Sequence, residues 1–416
     1  MTLRHLAPAG SPIGLADVWR WALAASKGAA NRTGLEATLG ERFGTRAFLT
    51  CTGRAGLTVL LRAMHRLSPA RGDEVIVPAY TCYSVPASII RAGLRPRVVD
   101  IDPATLDYDP AALAGADCRR VLAIVATNLY GCPNDLPHLE AFARERDLLV
   151  VDDAAQAMGA AIGNRSSGTF GDAGLFSFDK GKNVAAIDGG VLVTRSEALA
   201  EALATEVAHL AEPPRARRAE HVLKGLVYAA LLHPRLYWIP NAIPQLGLGA
   251  TAFTTEFAIE AADPTLSALA AVMLPHLEDF AAHRRRIFDG YLDALRGVAG
   301  VTVVVPPPGR VSAALRAPVL VADADRRAVA LQRLVAAGIG ASGSYPSALV
   351  DVPDLRRHLA NDAGDTPGGR LVAARIVTLP THPYVTLDDV RRAAAILRQR
   401  SVTAPATAAL GSPMGR

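Results

Sequence analysis

Leu148-Leu-Val-Val-Asp-Asp-Ala-Ala-Gln156 and, a dozen residues on, Gly168-Thr-Phe-Gly-Asp-Ala-Gly-Leu-Phe-Ser-Phe-Asp-Lys-Gly-Lys182-Asn183 are the stretches whose reading decides the fold. Each holds a short apolar run that stops at polar, glycine-punctuated sequence, the pattern of a buried strand running into a loop. Working outward, the same pattern recurs at Ala47-Phe-Leu-Thr50, Glu74-Val-Ile-Val-Pro78, Arg97-Val-Val-Asp100, Val121-Leu-Ala-Ile-Val125 and Gly190-Val-Leu-Val-Thr194. Helical patterns at 54–66, 84–92 and 136–146 lie between several of them. Buried strands alternating with helices predict an α/β fold with a mostly parallel sheet covered on both faces. Ligands bind such sheets where strand carboxyl ends meet loops, and the residues able to do chemistry fall there.

Three of these strand ends carry groups that belong together. Asp153 closes the apolar run, and a carboxylate there can pair with a protonated pyridine nitrogen; its neighbour Asp152 points the opposite way along a strand and reads as structural. Gln156 follows one helical turn later. Ser177 precedes Lys182 by five residues, so a serine can hold a phosphate while a lysine amine condenses with an aldehyde. Lys180 lacks that offset. Thr50-Cys-Thr-Gly-Arg-Ala-Gly56 closes another strand and opens a helix, placing the Gly53, Arg54 and Ala55 amides at a helix N-terminus that favours phosphate. A phosphate site, a Schiff-base lysine and a ring carboxylate at these spacings point to pyridoxal 5'-phosphate.

The ordered set resembles the DegT/StrS family of pyridoxal-phosphate-dependent sugar aminotransferases, of fold type I. The likeness rests on Gly72-Asp-Glu-Val-Ile-Val-Pro78, Asn128-Leu-Tyr-Gly131, Val151-Asp-Asp-Ala-Ala-Gln156, Phe176-Ser-Phe-Asp-Lys-Gly-Lys-Asn183, Asp188-Gly-Gly190, Gly343-Ser-Tyr-Pro346 and Leu379-Pro-Thr-His-Pro383. It implies that Lys182 holds the cofactor, that Asp153 pairs with its ring nitrogen, that Ser177 and the Gly53–Arg54 amides bind its phosphate, and that Gln156 lies beside the ring. The family's ring-stacking aromatic is replaced here by Cys82, leaving Tyr80 or Tyr83 as substitutes. Asp179 and Asn128 stand where family members often carry histidine, and no Asn-Tyr-Arg motif is recognisable in 256–264. The resemblance implies transfer of an amino group from glutamate or glutamine to a keto sugar, nucleotide-linked by family habit, in a homodimer. A non-nucleotide ketone of the aminocyclitol or amino-shikimate type is the alternative acceptor, and a catalytically silent scaffold or regulator is the reading from another class.

Composition narrows the classes. Half of the 416 residues are hydrophobic and a fifth charged, which fits a globular chain with a large core. The net charge of +5 suits a phosphorylated substrate, and no basic stripe interleaved with aromatics marks a nucleic-acid binder. Four scattered cysteines have neither zinc-site nor disulfide spacing, so no metal and a cytoplasmic protein are expected. The N-terminus shows no signal core, and no apolar run reaches membrane-spanning length. The expected division is a large cofactor-binding domain over 1–263, a linking helix broken at Pro275 with a smaller C-terminal α/β domain over 264–400, and a loose tail over 401–416. Within the first, 206–255 is an odd basic and apolar segment, expected to pack in the core or at a dimer contact in preference to a membrane.

Overall fold

The computed structural model describes residues 4–242, 252–361 and 364–399; the tail expected over 401–416 and part of the odd segment, 243–251, lie outside the described residues. Helices α1 (Leu15–Ala25) and α2 (Ala30–Phe43) lead into strand β1 (Arg46–Thr50) and helix α3 (Gly53–Leu67). Then come β2 (Glu74–Pro78), α4 (Ser84–Arg91), β3 (Arg95–Val99), α5 (Pro110–Ala114), β4 (Val121–Thr127), α6 (Leu136–Glu145) and β5 (Leu149–Asp153). A small hairpin, β6 (Ala161–Ile162) and β7 (Arg165–Ser166), precedes β8 (Ala173–Ser177), β9 (Gly190–Thr194) and helices α7 (Glu197–Ala208), α8 (Arg215–Leu231) and α9 (Trp238–Asn241). The C-terminal part has α10 (Pro264–Met273), α11 (Leu277–Leu295), β10 (Val301–Val303), β11 (Arg310–Val311), β12 (Arg316–Val321), α12 (Ala324–Ala336), α13 (Pro353–Arg356), α14 (Pro367–Arg375), β13 (Ile376–Pro380) and α15 (Leu387–Arg398).

Seven strands form the main sheet in the order β1-β9-β8-β5-β4-β2-β3. The pairs β2–β3, β2–β4, β4–β5 and β5–β8 are parallel, while β9 runs antiparallel to both β8 and β1. Strands β2, β4, β8 and β9 are buried along their whole length, as a sheet covered on both faces requires. One face packs against α3, α4 and α7 through Leu57, Leu60, Leu61, Ile89 and Leu203; the other meets α2 and α10 through Leu35, Leu39, Leu269 and Met273. A second, antiparallel sheet, β10-β12-β13, is closed by α11 and α15. Pro275 does interrupt the long helix: α10 stops at Met273, a single tight turn spans Leu274–His276, and α11 resumes at Leu277.

The odd segment, expected in the core or at a dimer contact, lies largely outside the core. Helix α8 has one buried residue, Gly225, and its apolar side chains Val222, Leu223, Leu226 and Val227 are exposed. They do not enter the core, because the inward face of the helix is taken by His221, Gly225, Tyr228 and Ala229, with the Trp21 ring in the space a Gly225 Cβ would need.

Candidate active site

The parallel arrangement brings the ends of β1, β5 and β8 to one edge, and the loops leaving them carry the polar groups. After β1, Thr52 caps α3, its hydroxyl accepting the Ala55 amide at 3.0 Å. The Gly53 and Arg54 amides, at the first two helical positions, have no carbonyl a turn back to bond, so they point free partial charge outward. Ser177, the last residue of β8, comes opposite: a Cβ added to Gly53 would stand 3.4 Å from Ser177 Cβ and 3.5 Å from its Oγ. Glycine therefore opens a small concavity between a helix N-terminus and a serine hydroxyl, which fits a phosphate. Ala55 does not join it as expected, because its amide is already spent on Thr52. The Arg54 side chain turns away to the Phe257 ring, 5.5 Å from its centroid, so this residue can offer its backbone and not its guanidinium.

Asp152 and Asp153 end β5 with opposite orientations. Asp152 is fully buried: one carboxylate oxygen accepts Asn128 Nδ2 at 2.7 Å, the other the amides of Gly168 (2.5 Å) and Phe170 (3.2 Å). Burial pushes its pKa up to about 7 against the pull of those donors. Among the described residues, the Asp153 carboxylate accepts only the Ala155 amide, at 3.0 Å. Burial raises its pKa, and the positive charge of Lys182 pulls it back. That carboxylate is thus buried, sparsely bonded and within electrostatic reach of the loop lysine, as a ring-nitrogen partner would need to be.

Lys182 follows β8 on a tight turn in which its amide donates to the Asp179 carbonyl at 2.9 Å. The turn is clamped from behind. Ser11 Oγ lies 3.0 Å from the Lys182 carbonyl and 2.7 Å from that of Asn183, and Tyr228 of α8 donates its hydroxyl to the Lys180 carbonyl at 2.8 Å. Ser11 is in turn held by the buried guanidinium of Arg284. None of Ser11, Tyr228 or Arg284 stands out in the sequence, because each meets the loop only through long-range folding.

On the far side, Gln156 Oε1 accepts the Tyr130 amide at 2.9 Å and Nε2 donates to the Tyr345 hydroxyl at 3.0 Å. Gln156 thereby ties the C-terminal loop to the sheet edge, and Tyr345 joins the site though the sequence alone gives it no role. Neither candidate substitute for a stacking aromatic is free. The Tyr80 hydroxyl bonds the backbone of Tyr345, and Tyr83 is buried with its hydroxyl on Ser347 at 2.7 Å. Cys82 between them stays half-buried, accepting the Ser84 hydroxyl at 3.0 Å.

The model of the DegT/DnrJ/EryC1/StrS aminotransferase family fits residues 24–398. The chain belongs to this family. A curated relative of the family member, the "Pleiotropic regulatory protein" of Geobacillus stearothermophilus, is 32% identical over 236 residues, 56% of this chain and 54% of that one. The chain thus spans about half the length of this relative, and 38% and 29% of two others that match more locally. The UDP-2-acetamido-2-deoxy-3-oxo-D-glucuronate aminotransferase of Pseudomonas aeruginosa is 26% identical over 363 residues, covering 86% of this chain and 88% of the relative. The crystal structure of DesI in the presence of its TDP-sugar product superposes with a TM-score of 0.74 at 25% identity, over 96% of this chain and 93% of that one. The DegT-family member is therefore a fold type I α/β protein, and pyridoxal phosphate is the cofactor of its fold and family.

Proposed function

We propose that this chain is a pyridoxal-phosphate-dependent aminotransferase that moves an amino group from glutamate or glutamine to a keto sugar, nucleotide-linked, in amino-sugar, polysaccharide or natural-product biosynthesis. The carrying observation is the convergence of Gly53, Ser177, Asp153 and the Lys182 turn at one sheet edge. When bound, the cofactor supplies an electron sink that makes the α-hydrogen of an attached amino acid acidic. Lys182 is the residue that would hold it; Ser177 Oγ and the Gly53 and Arg54 amides would take its phosphate. The Asp153 carboxylate would keep a proton on the ring nitrogen. Lys182 Nζ is also placed to be the base that would remove the donor's α-proton and, in the second half-reaction, the acid that would deliver a proton to the acceptor carbon.

Supporting the nucleotide-linked acceptor are the activity of a relative, a UDP-2-acetamido-2-deoxy-3-oxo-D-glucuronate aminotransferase, and the TDP-sugar product found with the structural neighbour DesI, together with the net charge of +5. We place the protein in the cytoplasm, where its four unpaired cysteines suit a reducing environment, and take a homodimer as the working unit.

The test is a half-reaction screen. Protein loaded with cofactor and glutamate should pass to the amine form, and a nucleotide-linked keto sugar should restore the aldehyde form. Restoration by an aminocyclitol ketone and by no keto sugar would move the substrate class. A protein with no lysine-dependent visible absorbance, unchanged in Lys182→Ala, would sink the enzymatic reading and favour a regulator.

A further inference from the structure

Fourteen large hydrophobic side chains are exposed among the described residues, and nine of them fall within two short segments, 15–23 and 222–238. Such concentration is not the scattered exposure normal for a soluble surface. On α1, Leu15, Trp19 and Leu23 are 91%, 67% and 58% exposed, and their spacing of four makes one continuous outward stripe. On α8, Val222 and Leu226 with Leu223 and Val227 form a second outward face. Leu236 and Trp238 follow directly after it, 40% and 49% exposed. The two helices touch where Gly225 meets the Trp21 ring, and Trp21 is itself buried and donates its indole N–H to the Thr265 carbonyl at 2.7 Å. The stripes are therefore carried on a pair of helices fixed to one part of the fold.

The charge around them is equally concentrated. Residues 4–32 hold four basic and one acidic side chain, and residues 212–242 hold five basic and two acidic, for a joint excess of six positive charges. The whole chain carries +5, so everything else sums to −1. Several of these cations are engaged: Arg217 with Glu260, Arg218 with Glu212 and Lys224 with Glu220. Lys27, Arg215 and Arg235 are exposed and carry no ion pair among the described residues. All three tryptophans of the chain lie in these same segments.

We propose that the α1–α8 face docks in the plane of an anionic phospholipid surface. Outward apolar stripes edged by cations and tryptophan are what an interfacial helix presents to headgroups and upper acyl chains. No described helix is long and apolar enough to cross a bilayer, so the contact is peripheral. A second copy fits less well, since across a two-fold contact the excess cations would confront their own copies. The docking helix also reaches the site, because Tyr228 on its inner side holds the Lys180 carbonyl. The inference stands apart from the transaminase reading, and its test does not use turnover.

Full-length protein is mixed with phosphatidylcholine vesicles, with or without about a third phosphatidylglycerol, and followed by co-sedimentation and tryptophan emission. Binding should be at least tenfold tighter to the anionic vesicles, should weaken when salt shortens the screening length, and should shift the emission of Trp19 and Trp238 to the blue. Leu223→Ser/Leu226→Ser with Trp19→Ser should lose at least tenfold in affinity, and Arg215→Glu with Arg235→Glu should abolish the preference for phosphatidylglycerol. Particle mass by light scattering should be the same for wild type and variants. Failure of the wild type to bind anionic vesicles overturns the proposal. So does a lower mass in the serine variant, which would make the face a contact between copies.

Discussion

The Arg284 guanidinium donates to Ser11 Oγ at 3.1 Å, and that hydroxyl reaches the carbonyls of Lys182 and Asn183. Arg284 is completely buried, also donates to the Gly10 carbonyl at 2.6 Å, and has no carboxylate beside it among the described residues. Burial lowers its pKa to about 10, so it remains charged at neutral pH. A buried charge satisfied only by neutral oxygens is costly, and what it secures is the turn that carries Lys182. Ser11→Ala should therefore cost about 1–3 kcal/mol in chemical denaturation, with faster loss of bound cofactor seen in the visible absorbance. Ser11→Thr should restore both if the hydroxyl is the cause.

Ser177→Ala removes one hydroxyl from the concavity facing Gly53 and leaves the core untouched. A hydrogen bond to a charged phosphate contributes about 1.5–3 kcal/mol, so cofactor affinity should fall by roughly ten- to a hundredfold. Titration of the apoprotein with pyridoxal phosphate measures it; unchanged affinity would remove Ser177 from the phosphate site.

Gly190→Ala attacks the same turn from the neighbouring strand. A Cβ there would lie 2.3 Å from the Thr52 carbonyl oxygen, a backbone atom at the entry to α3, and 2.6 Å from the Thr50 hydroxyl. The turn must move, and overpacking of this kind costs about 1–3 kcal/mol. Thermal unfolding should show that loss, together with weaker cofactor binding.

His382 sets a pH dependence. It is fully buried, its Nε2 lies 3.0 Å from the Ala7 carbonyl, and its Nδ1 has no partner. Burial, reinforced by the charge of Arg284, lowers its pKa from 6.5 to about 3. The neutral ring is the folded form, so its contribution is intact above pH 6.5 and is lost as pH falls toward 3. The loss is about 1.4 kcal/mol per pH unit, or about 2 kcal/mol between pH 6.5 and 5. His382→Gln should flatten the stability profile over that window relative to wild type.

The sheet was legible because its strands are apolar on both faces and bounded by glycine and polar residues, so β2, β4, β8 and β9 could be placed almost to the residue. Candidate residues could be placed from sequence where chemistry and strand ends coincide, at Asp153, Ser177 and Gly53. Ala55 was misplaced although Thr52, a capping residue by type, already signalled that one amide was spoken for. Ser11 and Tyr228 could not be placed from sequence, because they meet the lysine turn from 171 and 48 residues away, and Tyr345, though within the quoted Gly343–Pro346 motif, gave no sign of its bond to Gln156 189 residues away; no local period encodes such meetings. Which way the apolar face of α8 looks could not be read from sequence either: its residues announce a face, and only the packing of Gly225 against Trp21 sets its direction.

The start of the chain meets its partners near the end. Arg4 pairs with Asp389, the Leu6 amide bonds the Gly338 carbonyl, and Ala7 meets His382. Ser11 and Arg284, which together hold the Lys182 turn, lie 273 residues apart in sequence. The hydroxyl that holds the lysine turn is therefore fastened only once α11 is in place, and protein lacking α11 would carry the Lys182 segment unfastened.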